Sequence, residues 1–113
     1  MKVLVCGGRA FDDQKFVFLT LNRLDRETPI TEIIEGGATG ADTCARLWAK
    51  HYGVKLTTVK ADWNSYGKSA GPIRNKLMAD LHPNLVVAFK GGSGTANMIA
   101  IAKAKRIKVV EPR

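Results

Sequence analysis

The chain has 113 residues, 45% of them hydrophobic, and a formal net charge of +8. That length suits one domain, residues 1–113, with a real core and no room for a second catalytic domain. The composition argues against disorder, no apolar run approaches the roughly 20 residues of a membrane span, and the N-terminus is too short for a signal peptide.

Strands and helices alternate along the chain. Val3–Cys6 reads as a short buried strand, followed by Gly7-Gly8-Arg9. Asp12 or Asp13 caps a helix running to about Arg26, with Phe16, Leu19, Thr20 and Leu24 near one face, and Thr28-Pro29 ends it. Ile30–Glu35 is the second strand, and Gly36-Gly37-Ala38-Thr39-Gly40-Ala41-Asp42 follows it. Asp42–Tyr52 reads as a helix with Cys44, Trp48 and Tyr52 one turn apart, closed by Gly53. Val54–Val59 is a less apolar strand that belongs toward an edge. A loop spans Lys60–Ala70, and Gly71-Pro72 opens a helix whose buried stripe is expected at Ile73, Leu77, Met78 and Leu81. His82-Pro83 ends that helix. Leu85–Phe89 is the fourth strand, Gly91-Gly92-Ser93-Gly94-Thr95 the turn after it, Ala96–Ala104 a helix, and Ile107–Val110 the fifth strand.

This order predicts an α/β fold: a Rossmann-like, three-layer α/β/α arrangement around a parallel five-stranded sheet. Ligands of such sheets bind beyond the carboxyl ends of the strands. The glycine turns and the Asp62–Lys68 loop all follow strands, so they are expected at one edge. A glycine turn lets backbone N–H groups approach an anion, because no Cβ intervenes. Thr95 is expected to cap its helix and offer a hydroxyl to that anion. None of the turns is a Walker A loop or a G-x-G-x-x-G fingerprint.

Other side chains could complete a site. Arg9 suits a phosphate or carboxylate, or else an internal pair with Asp12 or Asp13. Asp42, beside Thr39, either caps its helix or accepts a bond from a ribose or base. Trp63, with Asn64, Tyr66 and Lys68 nearby, is either a stacking platform for a base or a lid on the core. Arg74, beside Asn75, sits near the positive end of a helix, where a cation is disfavoured without an anion. Arg74, Asp42 and Asp62 are the candidate catalytic residues. Neither a metal nor a cofactor is expected, since two cysteines without a histidine cluster make no zinc site. Cys6 and Cys44 read as buried, reduced thiols of a cytosolic protein.

The charge is uneven. Residues 1–53 carry seven Lys/Arg and seven Asp/Glu, and residues 54–113 carry eleven against three. A basic half suits an anionic partner, either a phosphorylated small molecule or a nucleic acid. For Lys103, Lys105, Arg106 and Lys108, solubility and a helix C-terminus explain the cluster equally well.

Together, Gly7-Gly8-Arg9-x-Phe11, Gly36–Asp42, Ala61-Asp62-Trp63, Ala70-Gly71-Pro72-Ile73-Arg74-Asn75-x-x-Met78 and Gly91–Thr95 resemble the YspA/cpYpsA-related family of the SLOG superfamily. The resemblance implies a Rossmann-like domain that binds nucleotides, nucleotide-derived signals or, in some branches, DNA. It also implies self-association, since LOG-like domains commonly dimerise. The LOG phosphoribohydrolases of that superfamily pair an Arg four residues before a Met with Gly-Gly-x-Gly-Thr-x-x-Glu. Arg74, Met78 and Gly91–Thr95 match, but the glutamate position falls on Met98. The leading expectation is therefore binding of a nucleotide or nucleotide-derived ligand. N-glycosidic hydrolysis of a nucleotide ranks second and nucleic-acid binding third.

Overall fold

A computed structural model describes residues 1–113. In chain order the elements are β1 (Lys2–Cys6), α1 (Gln14–Glu27), β2 (Glu32–Glu35), α2 (Ala41–Tyr52), β3 (Lys55–Thr58), α3 (Trp63–Tyr66), α4 (Ala70–Ala79), β4 (Leu85–Ala88), α5 (Ser93–Ala104) and β5 (Lys108–Val110). A short 3-10 turn over Gly67–Ser69 joins α3 to α4. All strand pairs are parallel, in the order β3-β2-β1-β4-β5. This is the Rossmann-like three-layer arrangement that the strand–helix alternation predicts, with β3 at an edge.

Strand periodicity sorts the core into two layers, because successive side chains point to opposite faces. Val3, Val5, Ile33, Leu85 and Val87 meet Val17 and Leu21 of α1 and Ala45 and Trp48 of α2. Leu4, Cys6, Ile34, Val86 and Ala88 meet Met78 of α4 and Met98 and Ala102 of α5. The central strands are buried on both faces, which is why they read as continuous apolar runs. Cys6 and Cys44 are both free and buried, and they belong to opposite layers of the core.

Two apolar stripes differ from the sequence expectation. On α1, Val17, Thr20 and Leu21 are the buried residues, while Leu19 is exposed. The larger difference is on α4, which buries Ala70, Gly71, Asn75, Met78 and Ala79. Ile73, Leu77 and Leu81 face outward. Asn75 lies on the inward face, where its Nδ2 donates to Gly94 O at 3.1 Å and to Asn97 Oδ1 at 3.0 Å. A buried amide must be hydrogen-bonded, and these bonds satisfy it on the inward face that Met78 and Ala79 pack into the core. The small residues on that face let α4 lie close against α5.

Candidate functional site

The chain winds from β1 outward to β3, then returns to place β4 on the other side of β1. Helices α1 and α2 cover one face, and α4 and α5 the other. The loops after β1 and β4 therefore diverge at the carboxyl edge, and a crevice opens between them. At its base they touch: Gly8 N donates to Lys90 O at 2.9 Å. A Cβ on Gly91 would overlap Thr95 Oγ1 and lie 2.7 Å from Gly8 N, so the contact requires glycine there.

The Gly36–Asp42 loop is built from its own carboxylates. Asp42 Oδ2 accepts from Gly36 N at 3.1 Å and Ala38 N at 3.2 Å. Below it, the fully buried Glu35 accepts from Gly37 N at 2.8 Å and from Arg46 Nη2 at 3.1 Å. The Thr58 hydroxyl donates to the other oxygen of Glu35. The loop docks on the first one through Ala41 N to Gly8 O at 3.2 Å and Thr39 Oγ1 to Arg9 O at 3.1 Å. Asp42 is thus a brace for the loop before its helix. The cap position belongs to Gly40.

Burial pushes the Asp42 carboxyl above its ordinary 3.8, and Glu35 adds to this, while the Ala38 and Gly36 amides and Arg74 oppose it. The folded chain therefore holds this proton more tightly than the unfolded chain. The stability from this group is complete below the ordinary value and is lost as pH rises through the raised one. Asp42→Ala, which orphans two amides, is expected to cost about 3 kcal/mol in urea unfolding. Asp42→Asn keeps an acceptor without the charge. Its stability relative to wild type is expected to improve as pH rises from about 4 to 8. A flat difference across that range would contradict the assignment.

Arg74 reaches across the crevice. Its Nη1 donates to Gly36 O at 2.7 Å and its Nε to Asn75 Oδ1 at 3.0 Å. Burial lowers its pKa and Asp42 opposes that shift. The guanidinium stays charged, since its ordinary value is so high. Asn75 uses its whole amide within the protein and acts as a positioning residue that ties Arg74 to the first turn of α5.

That first turn differs from the expected cap. Gly92 occupies the cap position with no side-chain bond, and Thr95 lies within the helix, buried, with its hydroxyl against Gly91. The amides of Ser93, Gly94 and Thr95 make no hydrogen bond in the chain. Opposite them, the Arg9 guanidinium lies over the Trp63 ring, 5.3 Å from its centroid, in place of a pair with Asp12 or Asp13. Asp13 instead caps α1 by accepting from Phe16 N at 3.0 Å.

The result is a cleft of about 650 Å³. It gathers Gly7, Gly8, Arg9, Asp42, Trp63, Lys68, Arg74, Asn75, Gly92, Ser93, Gly94 and Thr95 from the sequence-predicted set. Gly36, Gly37, Thr39, Gly40 and Gly91 stand behind its walls as scaffolding. Asp62 is also outside it, exposed and capping α3 by accepting from Ser65 N at 3.1 Å. Cys6, Met78 and Asn97 line the cleft although sequence reasoning passed over them there. Burial pushes the Cys6 thiol up to about 12, so it stays protonated and unreactive. Met98 is fully buried in the core beneath α5.

A parallel sheet with its crevice at the strand-order reversal, edged by glycine turns, defines a Rossmann-like domain. The chain belongs to the YspA, cpYpsA-related SLOG family, whose model matches residues 1–66. It is 32% identical over 117 residues to the Gene 61 protein of Mycobacterium phage D29, covering 96% of this chain and 94% of that one. Its fold is similar to that of DNA processing protein A (DprA) from Streptococcus pneumoniae, with a TM-score of 0.79 at 23% identity. That match covers 97% of this chain but spans only 49% of DprA, and it bears on fold alone.

Proposed function

We propose that the chain binds a nucleotide or nucleotide-derived molecule in this cleft. Its phosphate would rest on the first turn of α5 with Arg74 beside it. One observation carries the reading: the unbonded amides of Ser93, Gly94 and Thr95 share a cleft with Arg9, Lys68 and Arg74. A helix N-terminus and three cations facing one space favour an anion. The half-exposed Trp63 offers a ring face at the mouth for a base or sugar. Membership of a SLOG family fits such a ligand. The buried thiols suit a cytosolic setting, and no helix is long and apolar enough to cross a membrane. Self-association has the outward Ile73 and Leu77 of α4, with Leu81 just beyond its end, as its available apolar face. Mass spectrometry of small molecules released from freshly purified, denatured protein is expected to detect a nucleotide or a derivative. Protein that carries none and then binds none of a nucleotide panel would refute the reading.

N-glycosidic hydrolysis gains no support from the site. Asp42 lines the cleft but spends its Oδ2 on bracing its own loop, Asp62 lies outside the cleft, and Met98 stands in the core. Nucleic-acid binding has one observation in its favour. Lys103, Lys105, Arg106 and Lys108 are all exposed at the far end of α5, although Lys105 pairs with Asp80 at 2.7 Å. At the rise of an α-helix, Lys103 and Lys105 lie about 12 and 15 Å beyond Thr95, more than a Debye length of roughly 8 Å. Lys103→Glu with Lys108→Glu is therefore expected to change nucleotide affinity by no more than about twofold in calorimetry at physiological salt. A larger loss would place the patch in the nucleotide site. Any affinity for DNA or RNA lost in that variant should also fall steeply with salt.

A further inference from the structure

Gly92 and Thr95 wall two cavities. The second, of about 740 Å³, opens on the other side of the β4–α5 turn. Its floor is aromatic. Phe11 stacks on the buried Phe89 with ring centroids 5.3 Å apart, and Phe16 meets Phe89 edge-on at 5.9 Å. Ala96 of α5 forms a wall. The charges at this cavity balance, with Asp13 and Glu111 against Lys90 and Arg113, whereas the first cleft holds three cations and one inward-braced carboxylate. The first is thus suited to phosphate and the second to a neutral ring. The two cavities share Gly92, which is exposed and where an added Cβ would meet nothing within 4 Å.

We infer that the aromatic cavity is a second subsite, which takes a planar ring of the same molecule whose phosphate the turn holds. The ligand class is then a dinucleotide: two nucleoside ends joined through phosphates that cross the Gly91–Gly92 backbone. This rests on the nucleotide reading of the cleft and extends it. Both cavities fall in the size range of small-molecule sites, roughly 300–1,000 Å³ each, so a mononucleotide would leave one of them unused. A base on an aromatic floor gains affinity by stacking, and linkage to a held phosphate makes that second contact intramolecular.

The test is calorimetric titration of the full chain with AMP, ADP and diadenosine diphosphate, repeated with Ala96→Trp. Ala96 is exposed, lines only the aromatic cavity, and its replacement by an indole fills that space. Diadenosine diphosphate is expected to bind wild type at least about tenfold more tightly than AMP or ADP. Ala96→Trp is expected to abolish that gain while leaving AMP affinity unchanged. Equal affinities for the three ligands, or a gain that survives Ala96→Trp, would overturn the second subsite and leave the phosphate cleft standing. Absence of binding by all three would overturn the second subsite, whereas the phosphate cleft falls only if the wider nucleotide panel also fails to bind.

Discussion

Gly40→Ala is expected to destabilise the protein by about 4 kcal/mol, lowering the melting temperature by roughly 15 °C. Gly40 has φ +74° and ψ −127°, a backbone region essentially reserved for glycine. An added Cβ would also overlap the carbonyl oxygen of Gly8 and stand 2.5 Å from that of Arg9. These are backbone atoms of β1's own loop, so no side-chain rotation relieves the clash. The loops must part, and Ala41 N and Thr39 Oγ1 lose their acceptors. Gly53→Ala is the control. That residue has φ +65° in the left-handed region but open space around it, so the change should cost only about 1 kcal/mol. Thermal melts in which the two variants behaved alike would show that the loops are not held together as described.

Arg74→Ala carries the second large effect, on binding. Charge-assisted hydrogen bonds contribute roughly 1.5–3 kcal/mol each, so nucleotide affinity is expected to fall about 10- to 100-fold. The guanidinium is held by Gly36 O on one side and Asn75 Oδ1 on the other, which leaves its remaining donors for a ligand. Arg74→Lys keeps the charge but loses the planar fork, and should recover only part of the affinity. Asn75→Ala removes no ligand contact in this account. It should weaken binding through misplacement of Arg74 and of the α5 turn, and Arg74→Lys is expected to restore none of that loss in the Asn75→Ala background.

The strand ends and glycine turns were legible in the sequence because local chemistry dictates them. Apolar runs buried on both faces read as strands, and glycines follow where the chain must turn closely into a helix. Their convergence followed from topology alone. Side-chain direction was not legible. Asp42 reads equally as a cap or a ligand contact, and only the tertiary position of Gly36 and Ala38 shows which amides it serves. The stripe on α4 misleads because periodicity counts Ile73, Leu77 and Leu81 as core, whereas the helix buries its small residues with Met78 and a hydrogen-bonded Asn75. Glu35 was hidden in an apolar strand. Nothing in Glu-Ile-Ile-Glu shows that Arg46, Thr58 and Gly37 will satisfy its carboxylate from three different elements.

In the proposed complex the cleft holds a nucleotide phosphate between Arg74 and the first turn of α5. The most direct test of this is isothermal titration of wild type and Arg74→Ala with mononucleotides, cyclic nucleotides and ADP-ribose derivatives. Wild type is expected to bind at least one of these with roughly micromolar affinity, weakened at least tenfold in Arg74→Ala. No heat with any of them, or equal affinity in the two proteins, would contradict it.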